Sequence, residues 1–201
     1  TCALPIWKYE EGHDIVIDNV AVTSVEAQDP DKLMNNGDFS SGDTRHFKPA
    51  RGGVISTYAG GYDDDFALIM TGRDAAYYGV RQNIDTNVLE EGVSYTASAK
   101  FKLFQSDGTT PFDCEPTAVA GDKICPVMFL KAQEPGVGAQ TRLIGSTLGE
   151  KDADWNTIAG NVVFFHNEVN APSLSLIIDR APAGIVMVLD NVGLTKVTST
   201  A

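Results

Sequence analysis

Arg73, Tyr77 and Tyr78 are the residues of this chain whose types and spacing best suit ligand binding. A planar guanidinium offers N–H donors in a fixed fork, and an aromatic face accepts the apolar side of a ring. The alternative is structural: the two tyrosines point to opposite faces of a strand, one of them into the core, and Arg73 forms an ion pair. The residues alone leave both interpretations open.

A second chemical candidate is an aspartate that recurs in a repeated phrase. Residues 16–23 read VIDNVAVT and residues 188–195 read VLDNVGLT, so Asp18 and Asp190 occupy equivalent positions. Repetition at long spacing is typical of modular chains. A carboxylate in an apolar strand needs a partner, and it either binds calcium or accepts hydrogen bonds from backbone N–H groups. The alternation places Asp190 on one face with Val188, Val192 and Leu194.

Cys114 and Cys125 flank a Pro/Gly/Ala-rich stretch. A disulfide between them would close a short loop and indicate an oxidising compartment. Cys2 would then be left for a bond to upstream material or to another chain. The three histidines are scattered and there is no Cys-x-x-Cys pair, which argues against a zinc site.

Charge and motifs exclude several classes of function. The formal net charge is −12, with 15 Lys and Arg against 27 Asp and Glu. This balance disfavours nucleic acid and, as a first expectation, strongly anionic ligands. The sequence has no nucleophile elbow, zincin motif or Walker loop, so a non-catalytic protein is expected. No stretch is long and apolar enough to span a bilayer.

Short alternating segments separated by turns predict an all-β protein, a two-sheet antiparallel sandwich of jelly-roll type. The clearest segment, Val93–Phe104, places its odd-numbered residues on a dry face and its even-numbered residues on a wet one. A short helical turn is expected near Asp85–Glu91. The other predicted strands are Val54–Tyr58, Phe66–Thr71, Tyr78–Ile84, Cys125–Ala132, Thr141–Thr147, Trp155–His166, Leu174–Asp179 and Ile185–Val197.

Several motifs, in order, resemble one family. The segment resembling it covers Leu33 to about Val197, and the motifs are Asn35–Gly42, Ala67–Ile84, Gly92–Ala99, Trp155 and Leu189–Leu194. In this order they resemble the xylan- and glucan-binding modules grouped around carbohydrate-binding module families four, nine and twenty-two. The resemblance implies a β-jelly roll that holds polysaccharide without cleaving it, often in tandem copies on secreted proteins.

The resemblance also implies site residues. The ligand residues would be Arg73, Tyr77, Tyr78 and Gln82, with Tyr77 at the place of an aromatic residue that is commonly Trp. The family's structural calcium would be held here by Asp38 and Asp190, although the acidic residue that follows the opening Phe in the family is Ser40 in this chain.

The predicted organisation has four parts. Residues 1–25 are the terminal strand region of a preceding repeat or a docking segment between subunits, 26–32 a linker, 33–197 the module and 198–201 a tail. The first functional hypothesis is an extracellular or cell-surface module that binds a neutral polysaccharide. The second is a structural repeat of an extracellular filament or wall, in which residues 1–25 add a strand to another copy of the chain.

Overall fold

The computed structural model of the protein describes residues 33–63, 65–118, 121, 123–134, 136, 138–152 and 154–198. The predictions for residues 1–25 and for the linker at 26–32 lie outside the described residues, as do those for Asp18 and Cys2. They stay predictions.

Ten β-strands account for most of the regular structure in these residues, with a 3₁₀ helix at Thr86–Val88 and one short α-helix, α1, at His166–Val169. The strands are β1 (Phe47–Ala50), β2 (Val54–Ala59), β3 (Phe66–Thr71), β4 (Gly79–Ile84), β5 (Ser94–Phe104), β6 (Val127–Glu134), β7 (Gly138–Asp152), β8 (Trp155–Val163), β9 (Ser173–Asp179) and β10 (Val186–Lys196).

The strands form two layers that share one strand. The ladder runs β1-β4-β9-β6-β7-β8-β5-β10-β3-β2, and every pair in it is antiparallel. The long strand β7 pairs with β6 through its first half and with β8 through its second half. We call β1, β4, β9, β6 and the first half of β7 the front sheet, and the remaining strands the back sheet. The predicted all-β jelly roll is confirmed.

The main core lies between the front and back sheets. The predicted dry face of β5 is buried: Tyr95, Ala97, Ala99, Phe101 and Leu103 are each at most 3% exposed. Alternate residues of the front-sheet strands meet them, among them Val80, Met128, Leu130, Leu174, Leu176 and Ile178. Each large side chain in this set contributes about 1.5–3 kcal/mol by leaving water. This core holds the front sheet in a fixed register.

A β-bulge in β10 changes the predicted phase of the repeated phrase. Asp190 pairs with Lys100 and Gly193 with Ser98, so β10 has one extra residue between these pairs. Asn191 has a left-handed backbone, with φ of 45°, as the residues of bulges often do. Val192 belongs to the main core, whereas Val188 packs in a separate cluster with Ala67 and Trp155. The prediction that Val188, Asp190, Val192 and Leu194 share one face is therefore wrong.

All nine predicted strands are present, with boundaries shifted by a few residues. β1 was not predicted, and residue 166, at which α1 begins, was predicted to lie in a strand. The helical turn expected near Asp85–Glu91 is the 3₁₀ helix at Thr86–Val88.

The disulfide between Cys114 and Cys125 is present, as predicted. It closes the loop before β6, and Glu115 and Ile124 form a parallel bridge inside that loop. A cross-link over so short a loop stabilises the folded state by about 3 kcal/mol in the loop-entropy treatment.

Candidate functional site

Arg73 is a structural residue and not a ligand residue. Its side chain is 2% exposed, and all five of its N–H groups donate to backbone carbonyls. The acceptors are the carbonyl oxygens of Tyr78, Pro182, Ile185, Ala76 and Ala181, at 2.7–3.1 Å. Burial lowers the pKa of Arg73 to about 10, and the nearby Asp179 carboxylate opposes this shift. The guanidinium therefore stays charged at neutral pH, but it has no donor left for a ligand.

Tyr77 and Tyr78 point in different directions, as the structural alternative expected. Tyr77 is 44% exposed, whereas Tyr78 packs against the main core. Their rings meet edge to face with centroids 5.4 Å apart. The Arg51 guanidinium lies 4.9 Å from the Tyr77 ring centroid. Of the two tyrosines, Tyr77 alone offers ring surface to a ligand.

Gln82 ties the opening motif of the module to β4. Its Nε2 donates to the Asn35 carbonyl at 2.7 Å, and its Oε1 accepts from the Asn35 backbone N–H at 3.0 Å. The residue is only 2% exposed. The Gln82 side chain therefore pairs with the backbone of Asn35 as a neighbouring strand would. Both the oxygen and the nitrogen of its amide already have a partner. Its predicted role in ligand binding stays a prediction.

The front sheet presents three cross-strand rows on the face that points away from the core. Ladder pairing sets the middle row, which reads Lys48, Arg81, Ile177, Phe129 and Leu143 across β1, β4, β9, β6 and β7. The row on one side reads Asn83, Ser175, Lys131 and Thr141. The row on the other side reads Ala50, Gly79, Asp179 and Val127. One end of the middle row is cationic and the other is apolar.

Two cavities open on this face, and both are lined by Arg81. One has a volume of about 270 Å³, with Tyr77, Phe129 and Ile177 as its larger apolar side chains and Arg51, Arg81, Lys131, Asp179 and Arg180 as its charged ones. The other, of about 350 Å³, is lined by Asn35, His46, Lys48, Arg81, Gln82 and Asn83. We call the two cavities together the front groove.

Backbone contacts bring the loops at one end of the front groove together. The Arg180 N–H donates to the Ala76 carbonyl at 2.8 Å, which joins the turn after β9 to the turn before β4. The Arg180 guanidinium lies 5.4 Å from the Phe129 ring centroid. An aromatic ring and a cation thus stand side by side in the groove, near Tyr77 and Arg51.

Asp179 is the one acidic side chain among the described residues that line the front groove. Its Oδ1 lies 3.4 Å from Arg180 Nε but accepts no hydrogen bond. Burial raises the pKa of Asp179 to about 6, although the charges of Arg180, Arg51 and Arg73 act in the opposite direction. The groove thus carries an excess of positive charge at every pH at which the protein is folded and its arginines are ionised.

The carboxylates of both predicted calcium ligands accept hydrogen bonds from backbone N–H groups. Asp190 is 1% exposed; one carboxylate oxygen accepts from Tyr62 N at 2.6 Å and the other from Asn191 N at 2.7 Å. Asp38 accepts from the backbone and hydroxyl of Ser40 within its own turn. Within the described part of the chain, no three His, Cys, Asp or Glu side chains are grouped to hold a metal ion. Calcium binding by Asp38 and Asp190 stays a prediction.

Of the four predicted ligand residues, Tyr77 and Gln82 line the front groove, and most of the other lining residues were not predicted. Arg81, Phe129, Lys131, Ile177 and Arg180 come from three different strands and a turn. A signal for two of them was available: Arg81 and Lys131 occupy outward positions in strands whose inward residues are mostly apolar.

Comparison with known proteins agrees with this fold. A family model described as "Carbohydrate binding domain" matches residues 31–119. Together with the jelly-roll architecture, this match confirms the resemblance to carbohydrate-binding modules. No curated protein matches the sequence significantly.

Solved structures with the same fold include several carbohydrate-binding modules. The CBM22-1 xylan-binding domain of Xyn10C from Paenibacillus barcinonensis has a TM-score of 0.61 at 18% identity, covering 87% of this chain and 99% of its own. The C-terminal family 22 module of Xyn10B from Clostridium thermocellum has a TM-score of 0.60 at 15% identity, covering 83% and 98%. At these identities the structures establish the shared fold. No helix among the described residues is long and apolar enough to cross a membrane.

Proposed function

We propose that residues 33–197 form a non-catalytic module that binds a polysaccharide of the xylan type in the front groove. The observation that carries this proposal is the groove itself: it is an extended surface on a rigid sheet, with aromatic and aliphatic side chains beside hydrogen-bond donors. Polysaccharide rings offer an apolar face and an edge of hydroxyl groups, and binding them requires both kinds of partner.

The groove supplies these two kinds of partner in neighbouring positions. Phe129 and Ile177 are paired across β6 and β9 and form an apolar strip. Arg81 and Lys131 flank this strip on β4 and β6, and the buried Ser175 hydroxyl, which donates to Asn83 Oδ1 at 2.9 Å, lies beside it. A chain of several sugar units lying across the strands would meet an apolar residue and a donor at successive steps.

The family match and the xylan-binding domains among the structures with this fold support xylan as the first polysaccharide to test. An extracellular or cell-surface location and a tandem arrangement are part of the same proposal. A tandem pair of such modules from Paenibacillus barcinonensis is among the structures with this fold, at 19% identity. The filament alternative depends on residues 1–25 and has no support from the described residues.

Affinity electrophoresis in gels containing soluble xylan tests the proposal. We expect the wild-type protein to be retarded, Tyr77→Ala and Phe129→Ala each to lose most of that retardation, and all variants to melt within a few degrees of one another. Phe66→Ala is the matched control, because Phe66 is an exposed aromatic residue (36%) at the start of β3 in the back sheet. Equal retardation of Phe129→Ala and Phe66→Ala would place binding elsewhere.

A further inference from the structure

The charges of this chain are distributed very unevenly between the front groove and the rest of the surface. Among the described residues, five Lys and Arg line the groove, namely Lys48, Arg51, Arg81, Lys131 and Arg180, but only one acidic residue, Asp179, does. His46 adds a further ring nitrogen. A protein of net charge −12 thus has a strongly cationic concave surface where the ligand is proposed to bind.

Three of these cations are not used by the fold. Among the described residues, Lys48, Arg81 and Lys131 form no salt bridge. Lys48 and Arg81 are also direct cross-strand partners, and like charges in such pairs destabilise a sheet. These cations lie close together although their repulsion opposes stability, and they have no acidic partners among the described residues. They are therefore available to bind a ligand that carries negative charge.

The backbone at the groove supports the same conclusion. Arg51 and Arg180 both have φ of 85°, and His46 has φ of 72°. The left-handed region is unfavourable for residues with a side chain and costs about 1 kcal/mol or more at each position. Two arginines are held in this conformation within one groove, and their guanidinium groups lie over the rings of Tyr77 and Phe129.

The mixture of charge and apolar surface identifies the ligand further. We propose that the front groove selects polysaccharides that carry uronic acid residues, with the carboxylates bound by Arg81 and Lys131 and the sugar rings packed on Phe129 and Ile177. This inference rests on the proposed function and gives it a substrate class. It also revises the expectation of a neutral polysaccharide that followed from the net charge.

Carboxylates spaced along a polysaccharide fit this groove better than a densely charged polymer does. The fork of an arginine matches the two oxygens of a carboxylate, and the pair is strongest when it is bidentate. The apolar end of the middle row, from Ile177 to Leu143, has no cation in it and suits an uncharged stretch of sugar. A net charge of −12 repels a nucleic acid, in which every residue bears a phosphate.

The test compares native and carboxyl-reduced forms of glucuronoxylan and of polygalacturonan, which differ only in the carboxylates. We expect the protein to bind native glucuronoxylan, in which the carboxylates are spaced along the chain, about tenfold more tightly than its reduced form at low salt, as measured by isothermal titration calorimetry. The preference should be smaller for polygalacturonan, in which every residue carries a carboxylate. This preference should shrink as salt is raised, because the groove is open to solvent.

Variants assign the preference to the groove. Arg81→Gln and Lys131→Gln should each reduce the ratio between native and reduced forms by about threefold or more, because glutamine keeps a hydrogen-bond donor but carries no charge. Lys123→Gln is the matched control: it removes the same charge from an exposed position in the loop between Cys114 and Cys125. Thermal melting confirms that each variant is folded.

The possible results separate the two proposals. Equal binding of native and reduced forms would overturn the preference for uronic acids and leave polysaccharide binding standing. Binding of neither form of either polymer would overturn both proposals. Tighter binding of dextran sulfate or of single-stranded DNA than of any uronic acid polymer would also overturn the preference, and so would a loss of selectivity in Lys123→Gln equal to that in Lys131→Gln.

Discussion

Lys48 and Arg81 lie directly opposite each other in the antiparallel ladder between β1 and β4. The two side chains belong to the middle row of the front groove, next to Ile177 on β9. The repulsion between them weakens the edge of the front sheet, yet it places positive charge beside the apolar strip. The proposed binding surface therefore requires a cationic pair that makes this edge of the sheet less stable.

The pair predicts that Lys48→Thr stabilises the protein. Threonine suits an edge strand and removes the repulsion, so we expect a gain of a few tenths of a kcal/mol, up to about 1 kcal/mol, in the free energy of unfolding. Urea denaturation at low and high salt measures it. The gain should be smaller at high salt, because salt already screens the two charges. A variant less stable than the wild type at low salt would contradict the repulsion.

Arg73→Met should destabilise the protein strongly without removing its binding site. Five carbonyl oxygens lose their donors in a buried region, and we expect a loss of about 3–5 kcal/mol. Arg73→Lys should be intermediate, because its ammonium has three donors. Chemical denaturation measures the loss, and gel retardation well below the melting temperature should match that of the wild type. Weaker retardation with unchanged stability would restore Arg73 as a ligand residue.

The raised pKa of Asp179 predicts how stability changes with pH. The folded state holds this proton more tightly than the unfolded chain, whose pKa is 3.8, so the contribution of Asp179 to stability falls as pH rises from about 4 to about 6 and is constant above that. Asp179→Asn should therefore be more stable than the wild type by about 2–3 kcal/mol above pH 6, with the difference shrinking as pH falls from about 6 to about 4. A difference independent of pH would refute the shift.

Calcium binding near Asp190 can be separated from simple hydrogen bonding by chelation. If calcium is bound, the melting temperature must fall in EDTA and recover with Ca²⁺, by an amount that grows with the free ion concentration. Asp190→Asn should abolish this response, whereas Asp38→Asn tests the second predicted ligand. A melting temperature that is the same in EDTA and in Ca²⁺ would show that Asp190 accepts hydrogen bonds from the protein and holds no calcium.

The strand pattern was predictable because it is local. The alternation along β5 identified the buried residues correctly, and a Pro/Gly/Ala-rich stretch between two cysteines identified the disulfide. β1 was missed because it has four residues and includes Pro49, which cannot donate to a ladder. The bulge at Asn191 was missed because the residue pattern looks alike before and after the extra residue. The faces to which the side chains point nevertheless change there.

The site was less predictable because its residues meet through pairing between distant strands. Arg73 and Tyr77 were equally good candidates from the sequence. Only the fold shows that the N–H groups of Arg73 all donate to carbonyl oxygens, whereas Tyr77 lines the groove. The row from Arg81 to Phe129 requires the register of β4, β9 and β6. That register cannot be predicted from the sequence of any one strand.

An amide NMR titration with glucuronoxylan oligosaccharides tests the central claim most directly. The account predicts that the largest chemical-shift changes fall on the front groove, at Arg81, Phe129, Lys131 and Ile177, and that the outward residues Ser98 and Lys100 of the back sheet stay unchanged. Shift changes centred on the back sheet would contradict it.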